Sequence, residues 1–466
     1  MDRRWKILML VSVGDFMAYL DAPVVSVAFP AIQHSYVNAS SSTLAWVLDA
    51  YFIGFAAFLV IAGKLADRFG RRRMFILGLW VLAAASLICA VAPSIGVLIA
   101  ARTLQAAGAA FVIPAGQGLM LAKFPPDERK VAVGVLAAIV GLAIAASPTV
   151  GGVVVEELSW RWIFYLGMGV VLCALVYSHF VLEPGEPVNS NAALPDSVGA
   201  GLQMVALSLI VLAILQRSSW GTLDVRTLGT AGLGIAAFVL FIRRCMSVRT
   251  PVVDIGLFRS RVFAFANLGA LVFSIGFFAA TLNAVFFMTD VWRYSILETG
   301  LTFAPGALIG AVVGGLAGRI AERYGPWTVS VPGCAMAGLG LLVIVMSTGA
   351  QRNFASEWLP GQLIYSSGVG LALTGLVGAA LTAVPSEQFA LGSGINAALR
   401  QVGGALGVAL AIAIVTDAIG GNVLAHCHTA FIVSACAMFA AAIIALAIRT
   451  QQVPEGEVEM STVGLP

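Results

Sequence analysis

The chain has 466 residues, of which 60% are apolar (AVILMFWYC) and 11% charged, where an ordinary globular domain carries about 25% charged residues. That leaves too little polar surface to hydrate a soluble particle of this size, whereas the apolar residues suffice for roughly fourteen membrane spans of about 20 residues each. A net charge of only +3, divided into short basic clusters between apolar runs, sets nucleic acid aside as a partner. Lipid offers no hydrogen-bond partners, so the backbone must pair within itself. The runs are too long for barrel strands, and the expected class is an all-α polytopic membrane protein.

In chain order, apolar segments fall at 7–33, 44–64, 74–93, 96–121, 131–155, 160–182, 198–216, 225–243, 262–289, 298–318, 327–348, 358–383, 391–416 and 427–448. The first follows the basic start Arg3, Arg4, Lys6 and runs to about Pro30 with no small-x-small cleavage site, so it reads as a retained span and not a signal peptide. Fourteen spans put both termini on one side, and that side receives nineteen Lys and Arg against five opposite. The positive-inside rule therefore places both termini in the cytoplasm of a multi-pass cell-membrane protein, with a bacterial inner membrane as the expected setting. The six cysteines lie mostly inside apolar runs at irregular spacing, which suits small buried hydrophobes better than disulfides or a metal site. No cofactor and no metal are expected; His426 and His428 flank Cys427 without a carboxylate beside them.

Residues 183–197 carry three Pro, three acids and no Lys or Arg, as an exposed linker would. Across it the sequence repeats: Gly63-Lys-Leu-Ala-Asp-Arg-Phe-Gly70 matches Gly318-Arg-Ile-Ala-Glu-Arg-Tyr-Gly325 in residue or chemistry at every position. Such internal symmetry is what two-halved carriers show. The expected organisation is a six-helix bundle over 1–182, a cytoplasmic linker at 183–197, two additional helices over 198–243, a second six-helix bundle over 244–450, and a cytoplasmic tail from 451 to 466.

These residues resemble the fourteen-helix drug/proton antiporter family of the major facilitator superfamily. Gly63 to Arg73 is similar to the superfamily's loop motif between the second and third helices. Leu20 to Pro30 resembles the first-helix motif, with Pro23 and Ser26 where the family usually has Thr and Asn. Arg102, Gln105 and Gly108 resemble the fourth-helix motif. Ser147-Pro148 with Gly151 and Gly152 resembles the antiporter signature of the fifth, in which Gly-Pro is usual. Gly300 to Gly306 with Pro305, and Arg400 to Gly404 with Gly407, extend the likeness into the second half.

The resemblance implies a conformational latch at Gly63, Asp67, Arg68, Gly70 and Arg71, and an antiporter helix at Pro148, Gly151 and Gly152. It also assigns Asp21 and Arg102 a part in proton coupling. Physical chemistry points the same way, because Asp15, Asp21, Asp49, Arg102 and Arg400 all fall within spans. At about 2.5 to 3.5 kcal/mol each, such charges must face a cavity or one another. Asp21, Asp49, Arg102 and Asp15 are the proton-coupling candidates, and Arg102 could reach Asp21 or Asp49. Asp15 stands six residues from Asp21, about 240° around a helix, so the two do not share a stripe; a pair between Asp15 and Arg400 across the halves is one expectation. The expected cargo wall comprises Asp21, Tyr19, Trp46, Gln105, Asn283 and Arg400. Trp46, Trp160, Trp162, Trp292 and Trp358 fall near outer ends, where an aromatic belt is the default. His179 reads as interfacial.

The function that follows is proton-coupled multidrug efflux by alternating access, exporting hydrophobic or amphipathic compounds, cationic ones among them, from a protein that acts as a monomer and is not an enzyme. Its partners are the small hydrophobic substrate, protons and the lipid bilayer. A lipid or amphiphile flippase, or a proton-coupled importer of a small metabolite, stands as the alternative on the same fold.

Overall fold

Fourteen long helices follow one another through the chain in a computed structural model that describes residues 2–125, 128–183, 196–248, 250–384, 389–416 and 422–449. They are α1 (Arg3–Ser35), α2 (Ser41–Phe69), α3 (Arg71–Ala90), α4 (Ile95–Lys123), α5 (Arg129–Glu157), α6 (Arg161–Val181) and α7 (Ser197–Leu215), then α8 (Val225–Ser247), α9 (Arg261–Phe286), α10 (Ile296–Tyr324), α11 (Trp327–Ser347), α12 (Leu359–Thr382), α13 (Phe389–Thr416) and α14 (Val423–Leu446). Among the described residues there is no strand, and 13 helices are long and apolar enough to cross a membrane. The fourteenth, α5, has many side chains outside the described set. Helix ends agree with the apolar segments to within a few residues, since polar caps stop the runs. Ser40 accepts from the Thr43 amide, Ser94 from Val97, and Ser295 with Glu298 closes a capping box at the start of α10. Most of the linker, 184–195, and the tail beyond Arg449 lie outside the described residues.

Two apolar cores organise the helices. One gathers α1 to α6, reinforced by Leu282 and Phe286 of α9 and by Ala405 to Ile412 of α13. The other gathers α9, α11, α12 and α14. The helix α7 packs on α2 and α13, while α8 leans chiefly on α7 and turns Leu233, Ile235 and Leu240 outward. Asp196 at the start of α7 pairs with Arg244 near the end of α8 at 2.8 Å, closing this added hairpin.

The repeated segment folds alike in both halves. Gly70 ends α2 with φ 95° and Gly325 ends α10 with φ 91°, a backbone region that disfavours any side chain. Each glycine turns the chain straight into the next helix. The tryptophans correct the belt expectation for three positions. Trp160, Trp292 and Trp358 are buried: the indole N–H groups of the first two find partners inside the fold, Ser35 Oγ and the Gly349 carbonyl, while Trp358 stacks on Phe287 and its N–H is left unpartnered. Trp162 is exposed and Trp46 half-buried.

Candidate functional site

A cavity of about 990 Å³ lies between the halves. It reaches the end of the helices where Gly63, Lys64, Asp67 and Arg71 stand, and extends in the other direction to Trp358 and Gln362. Its wall is mainly aromatic and small: Phe277 and Phe278 of α9, Phe303 of α10 and Phe431 of α14 offer ring faces, while Gly306, Gly310 and Gly314 of α10 leave room. Polar atoms interrupt this surface at Tyr19, Gln117, Thr281, Gln362, Tyr365 and Arg400.

Beyond the cavity the halves close on each other. The α5–α10 seam is the tightest: a Cβ on Gly152 would lie 2.8 Å from the Ile296 carbonyl oxygen and 3.1 Å from Gly300 Cα. Thr149 Oγ1 donates to the Gly300 carbonyl at 3.0 Å, and Glu156 accepts from the amides of Ile296 and Leu297, the first turn of α10. That carboxylate sits where the helix dipole favours an anion. Phe29 meets Phe286 edge-on, and Phe52 of α2 meets Phe278 with centroids 4.8 Å apart. Pro148 lines the cavity just below the seam, and a Cβ on Gly151 would press against Val24 of α1.

The first half carries a buried ionic cluster. Arg102, wholly buried on α4, donates through Nη1 to Asp21 Oδ2 and to Gln105 Oε1, and through Nε to the Val47 carbonyl at 3.0 Å. Gln105 Nε2 donates to Asp21 Oδ1 at 2.9 Å and to Ser86 Oγ at 3.0 Å. The Tyr51 ring covers the guanidinium at 4.4 Å, and its hydroxyl is pinned to the Ala18 carbonyl. Both oxygens of Asp21 are thus occupied by donors, the arrangement that suits a carboxylate. Of the two aspartates Arg102 could reach, it takes Asp21. One nitrogen, Arg102 Nη2, is left buried and unpartnered.

Asp49 is fully buried on α2 with neither carboxyl oxygen partnered. It stands one helical turn before Phe52, which packs on Gly404 of α13. Asp15, also fully buried, accepts from Gln117 Nε2 at 3.4 Å, and its second oxygen has no partner. Among the described residues Asp15 forms no ion pair with Arg400; the Tyr19 hydroxyl, one turn further along α1, is the group that lies against that guanidinium.

Of the residues expected on the cargo wall, Tyr19 and Arg400 line the cavity. Asp21 and Gln105 are turned into the Arg102 cluster, Trp46 packs against the first core, and Asn283 donates to the Cys427 carbonyl at 2.9 Å inside the second. Within the loop motif, Arg71 donates to the Gly118 carbonyl of α4 at 3.1 Å and to Asp67 at 3.5 Å, while Arg68 stacks over Phe69. His179 bonds back to the Leu175 carbonyl, and His428 meets Thr348 at 3.1 Å. Three further polar side chains, Gln117, Gln362 and Tyr365, line the cavity outside the expected wall. Their signal was available, since a polar side chain deep in an apolar span needs a reason.

The Major Facilitator Superfamily family model matches residues 11–408. The Multidrug resistance protein Stp of Mycobacterium tuberculosis is 34% identical over 407 residues, which are 86% of this chain and 74% of that one. The puromycin resistance protein of Streptomyces alboniger is 33% identical over 431 residues, covering 91% and 84%. The Tetracenomycin C resistance and export protein of Streptomyces glaucescens is 27% identical over 422 residues, covering 90% and 77%. Among solved structures, a human organic anion transporter shares the fold at a TM-score of 0.66 with 15% identity, over 96% of this chain and 100% of the other.

Proposed function

The chain belongs to the Major Facilitator Superfamily, and from that membership we propose that it is a proton-coupled efflux transporter, carrying hydrophobic or amphipathic compounds out of the cell by alternating access. The observation that carries this reading is the pairing of a large aromatic-walled cavity with a separate buried cluster at Asp21 and Arg102. Relatives named for multidrug and puromycin resistance support it.

On this reading the two six-helix halves, 1–182 and 244–450, rock about the cavity, with the 198–243 pair attached at α2 and α13. The cavity faces the cytoplasm in this state, both termini lie on that side, and one copy of the chain suffices. Cargo enters the open chamber while Asp21 holds the Arg102 guanidinium. When the chamber faces outward, a proton taken by Asp21 removes the negative partner of Arg102, so the α1–α4 contact loosens and cargo leaves. Asp49 is a second proton carrier: its packing accommodates an uncharged carboxyl while the α2–α13 seam is shut, and opening of that seam gives it access to outside water. Asp15 senses the same cycle through Gln117 at the cavity wall. The Arg71 bonds to α4 latch the state in which the cavity opens inward. One net charge moved through 100 mV supplies about 2.3 kcal/mol, enough for roughly a fiftyfold gradient.

The test is substrate-induced proton movement in proteoliposomes, comparing the wild type with Asp21→Asn. Proton flux that appears with a lipophilic compound and vanishes in the variant supports antiport; no proton response to any compound, with lipid counter-transport instead, overturns it in favour of a flippase.

A further inference from the structure

Three carboxyl groups lie at membrane depth in the first half, and each is turned away from the chamber: Asp21 into the Arg102 cluster, Asp15 behind Gln117, and Asp49 into the buried flank of α2. None of them lines the cavity. What does line it at that depth is Arg400, midway along α13, with Nε buried and unpartnered and with no carboxylate in ion-pairing distance among the described residues. Nearer the mouth, Asp67 is paired with Arg71, and Lys64 donates to the Pro251 carbonyl at 2.6 Å with Asp196 and Asp254 acting on its cation from outside the cavity wall. The described wall therefore carries three cations against one carboxylate. An arginine beside apolar rings holds a planar anion by two parallel N–H donors, and the low dielectric of the chamber strengthens that pair. A lipophilic cation would meet repulsion at the same place.

We propose that the chamber binds amphipathic aromatic anions, carboxylates above all, with Arg400 as their counter-ion, the Tyr19 hydroxyl as a further donor, and the ring faces of Phe277, Phe278 and Phe303 holding the apolar part. The proposal deepens the export reading and rests on it only for identifying the cavity as the cargo chamber. It narrows the broad expectation of hydrophobic or cationic cargo to one sign of charge.

Three probes that differ only at one end make the test: pyrenebutyrate, pyrenebutanol and pyrenebutyltrimethylammonium. Their binding to the full-length protein in detergent is read by energy transfer from tryptophan, with empty micelles subtracted. The expected order is anion, then alcohol, then cation, with anion and cation separated by at least about tenfold in Kd. Arg400→Gln removes most of that separation by weakening the anion, while the alcohol binds as before and so reports that the chamber is intact. Arg400→Lys keeps the sign of the preference, and keeps the question answerable where the glutamine variant fails to fold. Equal or tighter binding of the cation, or a preference that survives Arg400→Gln, overturns the proposal. Binding needs no transport, so a failure of proton-coupled export with the preference intact would sink the export reading alone.

Discussion

The two halves share a backbone plan and differ in what they bury. At the repeated loop, Gly70 and Gly325 adopt nearly the same positive φ, and Arg68 and Arg323 each stack on the following ring. One residue later the halves part: Arg71 ties α3 to the Gly118 carbonyl of α4, where the second half has Pro326, which has no side-chain donor. The interiors diverge further. The first half buries Asp21, Arg102 and Gln105 together, whereas the second buries neutral amides, Asn396 donating to Asn267 and Asn283 to the Cys427 carbonyl. The second half supplies most of the aromatic wall of the cavity and its Arg400. A duplicated scaffold has thus been divided by its side chains into a half that buries an ionic cluster and a half that supplies most of the cavity's aromatic wall.

The sharpest way to break that division is to remove the ionic cluster. Asp21→Asn leaves Arg102 buried without its counter-charge, and Arg102→Gln leaves Asp21 likewise; breaking one partner of a buried pair costs about 3 to 5 kcal/mol. Substrate-driven proton flux is expected to fall to background in each, with a lowered Tm. The double variant should recover much of the stability, since both charges leave together, and none of the flux. In the second half, Asn283→Ala, away from the cavity wall, should lower Tm by the loss of one neutral bond, worth about 1 kcal/mol, and leave flux measurable. Equal loss of flux from Asn283→Ala and Asp21→Asn would show that proton handling is not confined to one half.

A smaller effect is expected where the halves touch. Gly152 has no room for a Cβ without displacing the backbone of α10, so Gly152→Leu should hold the α5–α10 seam ajar. Transport is expected to drop by about tenfold, and a cysteine at Thr149 should become reactive from outside. The enlargement acts at the closed end, so binding of a probe in the open chamber should change little.

Helix number, helix ends and the repeat were all legible from the sequence, because polar caps and turn glycines interrupt otherwise unbroken apolar runs. The partnership of Arg102 with Asp21 was half legible: spacing allowed Asp21 or Asp49, and only the rotation of α2, which points Asp49 away from the guanidinium while Val47 offers its carbonyl, decides between them. The cavity wall was least legible. Asn283 and Gln362 are both polar residues in apolar spans and both donate to a backbone carbonyl, Asn283 to that of Cys427 and Gln362 to that of Thr302, yet of the two the second lines the chamber. Which way a side chain faces depends on helix rotation in a bundle whose apolar residues surround every helix, so no hydrophobic stripe marks the cavity side.

The subtlest difference between the halves, Arg71 against Pro326, gives the finest test. Arg71→Ala removes one charge-assisted bond to the Gly118 carbonyl and a weak pair with Asp67, whose side chain is 63% exposed. Screening leaves the pair little weight, so the carbonyl bond dominates, at about 1.5 kcal/mol. If that bond latches the state open toward the termini, its loss shifts the balance between the two access states by roughly tenfold. A cysteine at Gly314, on the cavity wall and with 3.6 Å of clearance to the Gly370 carbonyl, reports the shift: an impermeant maleimide applied from the side of the termini should label it more slowly in Arg71→Ala. Glu322→Gln, the counterpart of Asp67 in the second half, should leave the labelling rate unchanged, because the side chain that would answer it at position 326 is a proline. An equal slowing by both substitutions would mean that the loops act as a symmetric pair and that the division between the halves stops at the membrane surface.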